Sequence, residues 1–198
     1  MSEDKKILRK YRVLGIVGPS GSGKDTAAHY LTYNYPLDFH SPTMYTTRPR
    51  RDENENYYFL TDEQFALKLF DANDVLLTAQ SFNGWYYGLA ESSLDKDKVN
   101  VIPMTINMIE QLMEAHETID LTLLHIQTND KQRLLHILDR EDEPDCREVC
   151  RRFLADKVDF EDIEDLNMTN IRNSYTEEFY EQLEQYKKAL KLLYAGQN

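Results

Sequence analysis

The sequence predicts an α/β fold, a parallel sheet flanked by helices and interrupted by a small α+β insert. Three observations carry this. Apolar runs without polar alternation recur at Tyr11–Val17, Val99–Pro103 and Leu121–Ile126, the pattern of strands covered on both faces. Helix-patterned stretches separate them, and strands alternating with helices from end to end imply an α/β sheet. Between Val75 and Tyr87 the pattern changes to two short strands flanking Asn83-Gly84, a hairpin outside the alternation.

The elements follow in order. After the Tyr11–Val17 strand comes a glycine-rich loop, then a helix from about Lys24 to Tyr33. Residues 40–60 are rich in proline and arginine and end in Tyr57-Tyr58-Phe59-Leu60. Thr61 ahead of Asp62-Glu63 reads as a helix start, with Phe65, Leu67, Leu69 and Phe70 after it. The strands Val75–Gln80 and Trp85–Tyr87 follow, then Val99–Pro103 and a helix near Met108–His116. Beyond Leu121–Ile126, Asp130 is placed as the cap of a helix through about Leu138. Glu141–Asp145 breaks the pattern, and a second helix runs to about Val158. Phe179, Leu183, Tyr186, Leu190 and Leu193 recur at helical spacing, predicting a closing amphipathic helix.

At 198 residues the chain suits one globular domain with a real core. No apolar run approaches the roughly 20 residues of a membrane span, and the charged N-terminus lacks the apolar stretch of a signal peptide. A net charge of −12 disfavours general nucleic-acid binding, so any phosphate must meet a local basic pocket. Cys146 and Cys150 have no nearby histidine and read as reduced, structural thiols of a cytoplasmic protein.

The first candidate for such a pocket is residues 18–26. Gly18, Gly23 and Lys24 fit G-x-x-x-x-G-K directly after a strand and ahead of a helix. Glycines let the backbone turn so that several N–H groups point at phosphate oxygens, and the helix adds its positive end. Lys24 supplies a point charge where negative charge builds during phosphoryl transfer. A glycine-rich turn that binds nothing is the rival, and the flanking strand and helix weigh against it. The expected ligand is ATP with Mg²⁺, held by Gly18, Ser20, Gly21, Ser22, Gly23, Lys24, Asp25 and Thr26. Asp25 stands where a hydroxyl usually follows the lysine. It either serves the metal, directly or through water, or favours the helix start as an acidic first-turn residue.

Thr46-Thr47-Arg48-Pro49-Arg50-Arg51 concentrates three guanidinium groups in an acidic chain, and such rigid donor forks suit phosphate. With Tyr57-Tyr58-Phe59 and Tyr86-Tyr87-Gly88 following the phosphate loop in that order, the sequence resembles guanylate kinase across at least residues 12–173. The resemblance implies a P-loop nucleoside monophosphate kinase. Its core (1–41 and 96–198) would hold ATP, its insert (about 42–95) the acceptor, and a short helical lid (about 139–152) would close. Arg48, Arg51, Tyr57 and Tyr87 would grip the acceptor's phosphate, and Arg140, Arg151 and Arg152 would serve the transferring group with Lys24 and Arg48. Asn173 would lie near the adenine.

Where the family reads guanine, this sequence has Met44, either Leu77 or Thr78, and Leu89. Pro103 or Thr105 replaces a further acidic residue, and Glu53 or Glu55 stands between Arg51 and Tyr57. A site gains selectivity from the groups it hydrogen-bonds, so GMP is not the expected acceptor. The resulting expectation is transfer of the γ-phosphoryl group to a nucleoside or deoxynucleoside monophosphate. A kinase for another phosphorylated metabolite, such as a sugar phosphate, and a non-catalytic binding module are the alternatives. The expected partner is a small-molecule phosphate acceptor, with no membrane, in a monomer or homodimer.

Overall fold

A computed structural model describes residues 10–195 except 51, 52, 54, 83, 140–142, 162, 164 and 165. In chain order the strands are β1 (Tyr11–Val17), β2 (Phe39–His40), β3 (Met44–Thr46), β4 (Tyr57–Phe59), β5 (Leu76–Phe82), β6 (Trp85–Ala90), β7 (Val99–Pro103), β8 (Ile119–Gln127) and β9 (Thr169–Arg172). The helices are α1 (Lys24–Asn34), α2 (Asp62–Lys68), α3 (Ile106–Glu114), α4 (Asp130–Leu138), α5 (Cys146–Asp159) and α6 (Glu177–Ala195). One sheet has the order β2-β7-β1-β8-β9, and the other β4-β3-β6-β5. The α/β class, a parallel sheet with helices around it, is therefore as expected.

Two compact units divide the chain. The first comprises Tyr35–Thr122 together with the chain start through Gly15. Its buried side chains include Val13, Leu14, Phe39, Val101, Ile102, Met108, Ile109 and Leu112. Thr105 caps α3 by accepting from the Met108 N–H, which begins that helix two residues before its expected start. In α2 the capping box is complete, since Thr61 accepts from the Gln64 N–H and the Gln64 side chain accepts from the Thr61 N–H. Phe65 is the buried residue of α2, whereas Leu67 and Phe70 are 75% and 86% exposed. The hairpin pairs Phe82 with Trp85, and Gly84 takes a φ of 78° in its two-residue turn. Asn83 lies outside the described residues.

The second unit comprises Ile16–Asn34 and Leu123 to the C-terminus. Ile16, Val17, Ala27, Leu31, Leu124 and Ile126 are fully buried there. Asn129, not Asp130, caps α4, because its side chain accepts from the Gln132 N–H while Asp130 is already helical. The α6 stripe ends on Tyr194 rather than Leu193, four residues after Leu190, and Leu193 is exposed. Cys146 and Cys150 are both free and exposed thiols at the start of α5, so they contribute nothing to the core. Among the described residues no helix is long and apolar enough to cross a membrane.

Candidate active site

The phosphate loop connects the end of β1 to the first turn of α1. Gly21 and Gly23 adopt φ of 76° and 99°, which L-residues avoid. Space matters as much as conformation. A Cβ at Gly21 would lie 2.8 Å from the Arg133 carbonyl oxygen, and one at Gly23 would collide with the Asn173 amide. The Lys24 Nζ turns back over the loop and donates to the carbonyls of Gly18 (2.5 Å) and Pro19 (3.3 Å). Asp25 and Thr26 are exposed in the first turn of α1. Exposed oxygens beside a phosphate cradle suit a hydrated Mg²⁺, and no cluster of three His, Cys, Asp or Glu groups able to hold a metal occurs among the described residues.

The loop is held from outside as well. Asn173 donates from Nδ2 to the Ser22 carbonyl (2.8 Å), and its Oδ1 accepts from the Tyr175 N–H (2.8 Å). Thr128 also donates to the Ser22 carbonyl, and the Tyr175 hydroxyl donates to that of Gly21. Asn173 is thus buried against the loop backbone, a role that its place beside a strand end did not disclose. We expect Gly23→Ala to cost about 1–3 kcal/mol through positive φ alone, plus the shift forced on Asn173. Thermal melting with and without ATP tests this, and an unchanged melting temperature would contradict the packing.

Two further side chains, which no sequence motif marks, grip Ser20. Its N–H donates to Asp156 Oδ2 (2.8 Å), and its carbonyl accepts from Arg133 Nε (3.0 Å). Arg133 and Asp156 line a cavity of about 520 Å³ with Pro19, Thr128 and Phe160. No local motif marks them, because 113 and 136 residues separate them from Ser20.

On α5, Arg151 and Arg152 are both paired with Glu148, at 2.6 and 2.7 Å. Hydrogen bonds from Arg151 and then Arg152 hold the Glu148 carboxyl down at about 2. Its ionised form therefore favours the fold above the ordinary glutamate range, and this contribution is lost as pH falls through about 2. Carbon-13 NMR titration should place its midpoint near 2, whereas an ordinary midpoint would show that the pairing is absent in solution. Arg140 lies outside the described residues.

The first unit gathers the arginine and tyrosine groups. Thr46 of β3 pairs with Tyr87 of β6 and, in parallel register, with Phe59 of β4. Strand alternation then places Met44, Thr46, Tyr57, Tyr87 and Leu89 on one sheet face and Tyr45, Tyr58 and Tyr86 on the other. Arg48 is 7% exposed and donates from Nη2 to Glu55 Oε1 (2.6 Å), with its guanidinium 5.7 Å from the Tyr57 ring centroid. Burial pulls its pKa down, but the bond and charge of Glu55, with a smaller effect of Tyr87, leave it raised. Tyr57 and Tyr87 meet edge to face, 6.4 Å apart. Tyr86 instead stacks on Phe65 at 5.4 Å, on the opposite face. Arg51 lies outside the described residues.

Met44, Thr78 and Leu89, the residues expected where the family reads the base, are also in this unit. Met44 and Leu89 are buried, and Thr78 pairs with Leu89 beyond an irregularity in the ladder between Leu76 and Thr78. Thr78 is 2% exposed, and its hydroxyl has no hydrogen-bond partner among the described residues. Thr105, besides capping α3, donates to Gln80 (2.8 Å).

A glycine-rich loop between strand and helix on a parallel sheet is the arrangement of the P-loop folds. The family model described as guanylate kinase matches residues 10–190, and the chain belongs to the guanylate kinase family. The guanylate kinase of Leifsonia xyli subsp. xyli (strain CTCB07) is 31% identical over 96 residues, 48% of this chain and 37% of that protein. That of Synechococcus sp. (strain JA-3-3Ab) is 40% identical over 79 residues, 39% of this chain and 36% of its own length. For Porphyromonas gingivalis (strain ATCC BAA-308 / W83) the values are 32% over 97 residues, 46% and 51%. The chain thus spans between a third and about half of these curated relatives. A crystal structure of guanylate kinase from Anaplasma phagocytophilum has the same fold, with a TM-score of 0.60, 14% identity and coverage of 94% of this chain and 88% of that one.

Proposed function

We propose that the protein transfers the γ-phosphoryl group of ATP to a nucleoside or deoxynucleoside monophosphate. The observation that carries this reading is the phosphate loop with its lysine, Gly18–Lys24, in its strand–loop–helix setting. Family membership and the buried Arg48 beside Tyr57 and Tyr87 support it. The division into a core, an acceptor insert at about 42–95 and a lid at about 139–152 belongs to the same proposal.

Transfer of this kind needs alignment, neutralisation and exclusion of water more than covalent chemistry. ATP would supply the phosphoryl group and Mg²⁺ the main counter-charge, and Asp25 and Thr26 carry the side-chain oxygens that would serve the metal. Loop N–H groups and Lys24 would bind the β- and γ-phosphates. Arg48, Arg51, Tyr57 and Tyr87 would fix the acceptor phosphate, while Arg140, Arg151 and Arg152 would neutralise the transferring group.

The acceptor's base would meet Met44, Leu89 and the neutral Thr78 hydroxyl. Guanine presents an N1–H and N2–H₂ donor pair, and a single neutral hydroxyl cannot answer both donors as a carboxylate does. We therefore expect GMP not to be the preferred acceptor. ADP release across nucleoside monophosphates and sugar phosphates tests both points. GMP preferred by a wide margin would overturn the base argument, and a sugar phosphate preferred over every nucleotide would overturn the acceptor class.

A further inference from the structure

We propose that Arg133 and Asp156 are positioning residues that set the phosphate loop at Ser20 for nucleotide binding. The inference rests on the proposed use of that loop for ATP. Both polar groups of Ser20's backbone are engaged by side chains, the N–H by Asp156 Oδ2 (2.8 Å) and the carbonyl by Arg133 Nε (3.0 Å). The two side chains are themselves joined, Arg133 Nη2 to Asp156 Oδ2 at 2.7 Å. The Ser20 hydroxyl donates to the other carboxylate oxygen at 3.3 Å.

This clamp is braced on every side. Arg133 Nη1 reaches Asp130 Oδ1 (3.2 Å), whose second oxygen takes Lys157 Nζ (2.6 Å). The Arg133 guanidinium lies 5.0 Å from the Phe153 ring centroid. Arg133 is 2% exposed, so its charge is answered by fixed partners rather than by water.

A loop that presents N–H groups to phosphate gains affinity when those groups already point the right way. The clamp fixes the peptide units on both sides of Ser20, and at Gly21 the loop turns through positive φ. It also ties α4 and α5 to the loop. Arg152 stands one turn before Asp156 on α5, so the clamp sets where that arginine leaves the helix relative to Ser20.

Removing Asp156 alone would leave Arg133 with Asp130 as its remaining carboxylate partner and add net positive charge beside the loop, mixing attraction with disorder. The charge-neutral double variant Arg133→Gln/Asp156→Asn separates the two, since it leaves net charge unchanged. We expect its Kd for ATP, measured by calorimetry without acceptor, to rise about tenfold from lost preorganisation. In turnover, KM for ATP should rise similarly while KM for the best-used nucleoside monophosphate stays within about twofold. A merely structural role would reduce the active fraction and leave both KM values unchanged, and that result would overturn the proposal. A wild type that binds ATP but turns over no acceptor defeats the proposed function, while the calorimetric comparison still decides the clamp. A wild type that does not bind ATP defeats both. Should the double variant not fold, hydrogen exchange on the wild type decides. The Ser20 amide should exchange slowly without nucleotide, and exchange at the rate of an open loop would refute the clamp.

Discussion

Lys24→Ala should abolish most turnover while leaving the fold intact. The Lys24 ammonium is the cation of the phosphate loop itself, and it lies against the carbonyls of Gly18 and Pro19. Removing one group aimed at developing charge costs about 10²–10³-fold in rate, roughly 3–4 kcal/mol of transition-state stabilisation. The two carbonyl contacts are ordinary in strength, and their loss should lower stability by about 1 kcal/mol. Backbone N–H groups remain, so ATP should still bind, more weakly. Steady-state ADP release, calorimetric ATP titration and thermal melting together check this. A variant with wild-type turnover would remove the loop from the mechanism.

Arg48→Ala is expected to raise KM for every acceptor, nucleotide or otherwise, by about 10- to 100-fold, the range for a charge-assisted phosphate contact. The uniformity is the test, because Arg48 is proposed to hold phosphate and not base. A loss confined to one base would contradict the assignment. Stability should fall too, since the substitution leaves Glu55, 20% exposed, without its guanidinium. A fully buried broken pair costs 3–5 kcal/mol, and partial exposure of Glu55 brings this to about 1–3 kcal/mol. Arg48→Lys should recover part of the stability but less of the acceptor binding, because an ammonium cannot reproduce the planar fork.

Long apolar strands and helices were legible in the sequence because burial imposes a period or a run. β1 and β7 end where the apolar runs end, and α1 begins at the lysine that closes the glycine loop. Strands β2, β3 and β9 leave no signature in the sequence, since two to four residues carry no period. Asn129 and Asp130 offer the same capping chemistry at adjacent positions, so the sequence alone does not separate the cap Asn129 from the helical Asp130. The phosphate loop was readable as a local motif, and the arginine passage as a local cluster. Arg133, Asp156 and Asn173 carry no sequence mark as partners of the loop. Their contacts with it join distant segments, and a charged residue in mid-helix looks in sequence like a solvated face. Folding also separated Tyr86 from Tyr87. Adjacent residues on a strand point to opposite faces, so only Tyr87 joins Tyr57 and Arg48 while Tyr86 stacks on Phe65.

The central claim is acceptor-stimulated phosphoryl transfer from the Gly18–Lys24 loop. Its most direct test is ADP release from Mg·ATP by the wild-type chain, measured with each nucleoside and deoxynucleoside monophosphate in turn and with none. Low release without acceptor, strong stimulation by at least one nucleoside monophosphate other than GMP, and loss of that stimulation in Lys24→Ala are the predicted results. ADP release that no nucleoside monophosphate stimulates would contradict the account.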